Sequence, residues 1–218
     1  MLKLILKFII AVLAIPIAAG ISMAFYNNVI LIKELAGMLK FLLWGAAGYV
    51  FLHIIFYRPT YLYVLGHEAV HAGISWLFGG KIKSFKVSEE GGSVGTTKTN
   101  AVIELGPYFV PIYAIIISVI YFVIAASYNI NGSVFIFLIG FTLAFHMVST
   151  IEVMKIRQPD IMKSGYFFSI VMVFVLNIIV ISFIFALLFP SFSEKRFFLD
   201  MWQLSRHAYV AIAKQLFL

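Results

Sequence analysis

Cysteine is absent from the 218 residues. No disulfide and no thiolate metal site can form, so a metal would have to be held by His, Asp or Glu. Charge is scarce as well. Only 11% of residues are Asp, Glu, Lys or Arg, against about one-quarter in a soluble globular chain. The chain is instead 63% hydrophobic, with a mean hydropathy of +1.05. These values exclude an ordinary soluble domain and point to a polytopic membrane protein with no room for a large soluble module. Aspartate occurs twice, as Asp160 and Asp200. The net charge of +7 does not indicate a nucleic-acid partner. Its basic residues stand at the ends of apolar segments, where anionic lipid is met, and no nucleic-acid motif accompanies them.

Six apolar segments are present: Leu2–Tyr26, Leu35–Tyr57, Thr60–Phe78, Val102–Tyr128, Val134–Met154 and Gly165–Phe189. The first also has features of a secretory signal, but its apolar run is long for one, so it reads as a retained span. Arg58-Pro59 closes the second, because the residue before proline disfavours helix. Gly37, Gly45 and Gly48 suit close helix approach. Gly79-Gly80 reads as a helix C-cap. Lys81–Thr99 carries β-branched and aromatic residues on both sides of Glu89-Glu90-Gly91-Gly92, the pattern of a β-hairpin. Ser127–Ser133 is an uncharged turn. Residues 191–218 read as an interfacial amphipathic helix. Arg196, Asp200, Gln203, His207 and Lys214 fall on one side and Phe198, Trp202, Tyr209, Ile212 and Leu216 on the other. The expected fold is therefore an all-α polytopic membrane protein with about six transmembrane helices. Residues 1–190 form its core, 81–99 its hairpin and 191–218 its interfacial helix.

With the N-terminus outside and six crossings, the hairpin lysines and the loop of Lys155, Arg157 and Lys163 face the cytoplasm, as the positive-inside rule asks. The basic residues at the two ends of the chain dissent from that rule.

The chemistry concentrates at His67-Glu68-Ala69-Val70-His71. Two histidines four apart share one helix face and can offer one nitrogen each to a zinc ion, with Glu68 in reach of a coordinated water. Ionisable groups are costly at apolar depth, about 2.5–3.5 kcal/mol for one charge even on a lenient scale. A merely structural role would be met more cheaply by Leu or Ser. A catalytic zinc takes three protein ligands. Asp160, on the same expected membrane side as His67 and His71, is the foremost third candidate. Its alternative role is a helix N-cap. Glu152 and His146 stand in reserve, although His146 would lie about 20 Å from Asp160 along a continuous helix. His146 and His53 read as polar contacts between helices, His207 as solvated and Glu104 as a boundary carboxylate. Gly66 and Gly73 flank the motif and suit either packing or the close approach of a substrate backbone. A hairpin directly after the motif can offer a strand edge to an extended peptide through Gly92, Ser93, Val94 and Gly95.

Taken together, the motif within an apolar segment, Gly79-Gly80, the hairpin and Asp160 resemble the site-2 protease family of intramembrane zinc metalloproteases over roughly residues 60–165. That family's third ligand belongs to an Asn-x-x-Pro-x-x-x-Leu-Asp-Gly motif. Here the stretch is Arg157-Gln158-Pro159-Asp160-Ile161, so the resemblance is to a compact, divergent branch without PDZ or nucleotide-binding module. Its oxyanion-stabilising Asn has no counterpart. The resemblance implies one zinc ion, Glu68 as general base and a transmembrane protein as substrate. It also implies a multi-pass cell-membrane protein with the active site toward the cytoplasm. Two other readings are a zinc-binding membrane scaffold without activity, which would have no need of Glu68, and an ion transporter, which would be expected to carry paired interrupted helices.

Overall fold

The computed structural model describes residues 2–32, 35–57, 59–128, 130–156 and 158–217. Arg58, Asn129, Arg157 and Leu218 lie outside the described residues. The elements in chain order are α1 (Leu2–Val29), α2 (Leu35–Phe56), α3 (Thr60–Leu77), β1 (Ile82–Val87), β2 (Gly92–Thr96), α4 (Ala101–Phe109), α5 (Ile112–Ser127), α6 (Ser133–Met154), α7 (Pro159–Ser164), α8 (Tyr166–Leu188) and α9 (Glu194–Phe217). Among the described residues, α1, α2, α6 and α8 are long and apolar enough to cross a membrane. A fifth crossing is counted if α4 and α5 make one bent span.

The expected continuous span over Val102–Tyr128 is broken, with α4 and α5 meeting at 68°. The cause is local. Pro111 has no N–H for the carbonyl of Pro107, four residues earlier, and its ring blocks helix continuation. Val110, just before it, takes φ −103° and ψ 101°, as a residue preceding proline prefers. The motif helix α3 is not among the crossing helices, since Glu68 and two histidines dilute its apolar character.

The chain divides into two compact units. The first comprises residues 1–35 and 164–218. Within it α1 packs against α8 through Ala11, Ala14 and Val171, and an aromatic cluster joins Phe25, Phe185, Phe192 and Phe197. The helix α9 runs along α1. Asn28 donates to the Asp200 carboxylate at 2.9 Å, Gly20 lies under Ser205, and Tyr209 reaches the Leu13 carbonyl. The α9 residues spent on these contacts are Phe197, Asp200, Ser205 and Tyr209. Trp202, Ile212 and Leu216 of the expected apolar face stay exposed, a surface suited to lipid.

The second unit is residues 36–163. Here Gly45 of α2 lies against the Phe137 carbonyl and Gly140 of α6 against the Leu42 carbonyl, so two helix backbones touch where side chains would hold them apart. Gly48 makes only ordinary contact, and Gly37 meets nothing. The same seam ends in His53, whose Nε2 sits 3.0 Å from Glu152 Oε1 and whose Nδ1 is 3.2 Å from the Tyr49 hydroxyl. Gly45→Ala places a methyl on that carbonyl. We expect it to lower the melting temperature of the detergent-solubilised protein by an overpacking cost of about 1–3 kcal/mol, whereas Gly37→Ala leaves it unchanged.

Candidate metal centre

A run of apolar and small residues makes Thr60–Leu77 helical, and it ends where Gly79 turns left-handed at φ 74°. The amides of Gly79 and Gly80 close that end onto the carbonyls of Trp76 and Ser75. The fourfold spacing then stacks His67 and His71. Their Nε2 atoms are 3.1 Å apart. Asp160, in the first turn of α7, brings Oδ2 to 3.6 Å from His67 Nε2 and 3.3 Å from His71 Nε2. Its carboxylate is thus aimed at the two imidazoles. His67, His71 and Asp160 form the group of potential metal ligands among the described residues.

A backbone contact fixes the orientation of His71. Its Nδ1 lies 2.7 Å from the Ile103 carbonyl, a contact that requires an N–H donor. That carbonyl is available because Pro107, its helical partner four residues on, has no N–H to give. The proline in α4 thereby sets a histidine tautomer on α3 and leaves the His71 Nε2 lone pair facing His67. On the other imidazole, Tyr63 Oη is 3.4 Å from His67 Nδ1, and the Tyr108 ring meets His67 edge-on.

The donor set fits zinc. Ligand bonds of about 2.0–2.1 Å in a tetrahedron put neighbouring donor atoms about 3.3–3.4 Å apart, and the three separations here are 3.1, 3.3 and 3.6 Å. Two imidazole lone pairs and a carboxylate oxygen at such distances repel one another unless a cation lies between them.

Glu68 is buried beside this group, and β2 lies against it. The strands are antiparallel, Phe85 facing Val94 and Lys86 facing Ser93. Alternate pairing leaves the Val94 N–H on the edge away from β1, where it donates to the Glu68 carboxylate. Gly92 makes this approach feasible: a Cβ there would come within 2.6 Å of Val64 and 2.7 Å of the Glu68 side chain. Gly92→Ala should therefore displace the carboxylate without touching a ligand. On the metalloprotease reading proposed below, zinc content should stay at wild-type level while kcat on a cleaved substrate falls at least about tenfold.

Around these groups opens a polar cleft of about 560 Å³. Gly92, Ser93, Val94 and Gly95 line one side, Gln158, Asp160 and Lys163 another, and Thr99 and Glu104 a third.

No protein-family model, curated protein or solved structure matches the chain. Roles for these residues therefore rest on the geometry. Of the residues named from the sequence, His67, Glu68, His71, Asp160 and the Gly92–Gly95 stretch line one cleft. Glu152 is turned to His53 instead, and His146 lines a separate small cavity that touches His67. His207 is exposed on α9. Gly66 permits close packing, its Cα facing Tyr113, whereas nothing approaches Gly73. Gly165 serves the backbone: its φ of 92° suits glycine. The Ile103 carbonyl, Tyr63 and the Val94 amide were not foreseen. Pro107 four residues after Ile103, and Tyr63 four before His67, were the available signals.

Proposed function

We propose that this chain is an intramembrane zinc metalloprotease of the site-2 protease type, hydrolysing peptide bonds of transmembrane protein substrates. The observation that carries the reading is the triangle of His67 Nε2, His71 Nε2 and Asp160 Oδ2 with Glu68 beside it. In the proposed arrangement α3 and the bent pair α4–α5 each count as a crossing, giving six. The cleft opens toward the cytoplasm, on the side of the hairpin lysines.

His67, His71 and Asp160 would hold one zinc ion. When bound, zinc supplies Lewis acidity toward a scissile carbonyl and brings the pKa of a coordinated water to about 7. Glu68 accepts the proton of the attacking water and delivers it to the leaving nitrogen. The part of the β2 edge beyond Val94, whose N–H is taken by Glu68, pairs with a substrate segment once that segment has unwound, since helical carbonyls are already hydrogen-bonded. The Val94 N–H holds Glu68 in place between turnovers.

The test is cleavage of a transmembrane substrate by the detergent-purified protein, abolished by a chelator and restored by zinc. Zinc binding without cleavage of any substrate would favour the scaffold reading. Zinc flux into sealed vesicles would favour the transporter reading.

A further inference from the structure

Adjoining the polar cleft at His67 lies a second cavity of about 30 Å³. The break between α4 and α5 walls part of it with Pro107, Val110 and Pro111, and α6 contributes Thr142, Phe145, His146 and Ser149. Among the described residues, His67 is the one that lines both this cavity and the cleft.

Ser149 is the unusual member. It is 1% exposed, and its hydroxyl has no hydrogen-bond partner. Several helical hydroxyls turn back onto their own helix, Ser118 to Ala114 O at 2.7 Å, Thr142 to Leu138 O at 2.8 Å and Ser182 to Ile179 O at 2.7 Å, whereas Ser149, like Ser205 of α9, does not. That local bond is the ordinary way to satisfy a helical Ser or Thr. Ser149 forgoes it at the wall of a cavity, and a buried polar atom without a partner calls for one.

The size limits the occupant. One water needs about 10–15 Å³ of such space, so this cavity takes a group of about two heavy atoms and excludes a Leu or Phe side chain. Its position selects among small groups. A side chain seated here would belong to a residue whose backbone passes His67, hence to a residue flanking the bond being cut.

We propose that this cavity is a substrate subsite for a small hydroxyl-bearing residue, Ser or Thr, beside the scissile bond, with Ser149 Oγ as its hydrogen-bond partner. The proposal rests on the protease reading and names its specificity. Close walls exclude bulk, and Ser149, whose hydroxyl is unpartnered while those of Tyr63, Tyr113 and Thr142 in the same lining are bonded elsewhere, distinguishes Ser from Ala, because a site built around a hydrogen bond penalises the ligand that lacks it.

The experiment places Ser, Thr, Ala, Leu or Phe in turn at each position around the mapped cleavage site of a transmembrane substrate. It then compares kcat/KM for wild type, Ser149→Ala and Ser149→Thr. At one position the wild type should prefer Ser over Ala by about tenfold and cleave Leu or Phe about a hundredfold more slowly. Ser149→Ala should bring the Ser-to-Ala ratio close to one. Ser149→Thr, which adds a methyl to the cavity, should shift the preference from Thr toward Ser. A Ser-to-Ala ratio unmoved by Ser149→Ala assigns the cavity to ordered water and overturns the subsite. Cleavage without preference at any position also overturns it, while the protease reading stands. Absence of all chelator-sensitive cleavage overturns the protease reading and the subsite with it.

Discussion

Glu68→Gln should abolish substrate cleavage while the protein still binds one zinc ion. General-base catalysis contributes about 10²–10⁴-fold, and here the same carboxylate would also return the proton to the leaving nitrogen, so we expect the loss at the upper end of that range. Glutamine keeps the length and shape of glutamate. It still accepts from the Val94 N–H, so β2 stays in place and the cleft keeps its form. Glu68 is not in the triangle of His67, His71 and Asp160, so metal affinity should hardly move. Purified variant and wild type would be compared by metal analysis and by cleavage of the same transmembrane substrate. Normal cleavage by the variant would end the general-base assignment.

The parts of this site that were legible from sequence are those set by local spacing. His67 and His71 stack because a helix repeats every 3.6 residues. The hairpin was legible because Gly91 and Gly92 interrupt a β-rich stretch, and the sheet formed with Phe85 opposite Val94. What escaped was non-local or masked by uniform apolarity. Val102–Tyr128 reads as one hydrophobic run. Hydropathy does not register that Pro111 withholds a hydrogen bond, so the 68° break went unread. The link from Pro107 through the Ile103 carbonyl to His71 spans two helices, and no pattern within either one announces it. For Glu152 the sequence offered a reserve ligand. The backbone contact of α2 with α6 at Gly45 and Gly140 sets His53 beside it instead. The amphipathic α9 was legible as a pattern, but its contacts with α1 through Ser205 and Tyr209 depend on a partner far away in sequence.

Asp160→Ala should cost the protein its zinc. Two imidazoles alone leave two tetrahedral positions to water, and the carboxylate also supplies the negative charge that keeps the cation among buried groups. Loss of a group that merely supports a ligand weakens metal binding by about 10–100-fold; loss of the ligand itself should exceed that, so the variant should purify with little metal and no activity. The control is Glu152→Gln. It too removes an acidic charge, but from the His53 pair, and should leave zinc content at wild-type level. Competition against a chelator of known affinity measures both. If Asp160→Ala retains zinc with wild-type affinity, the three-ligand centre is wrong and Asp160 caps α7. If Glu152→Gln loses zinc instead, the carboxylate that completes the site comes from α6. The Oδ2 distances of 3.3 and 3.6 Å to the two imidazoles favour the first ordering, because among the described residues Asp160 is the carboxylate that already stands where a third tetrahedral ligand would have to be.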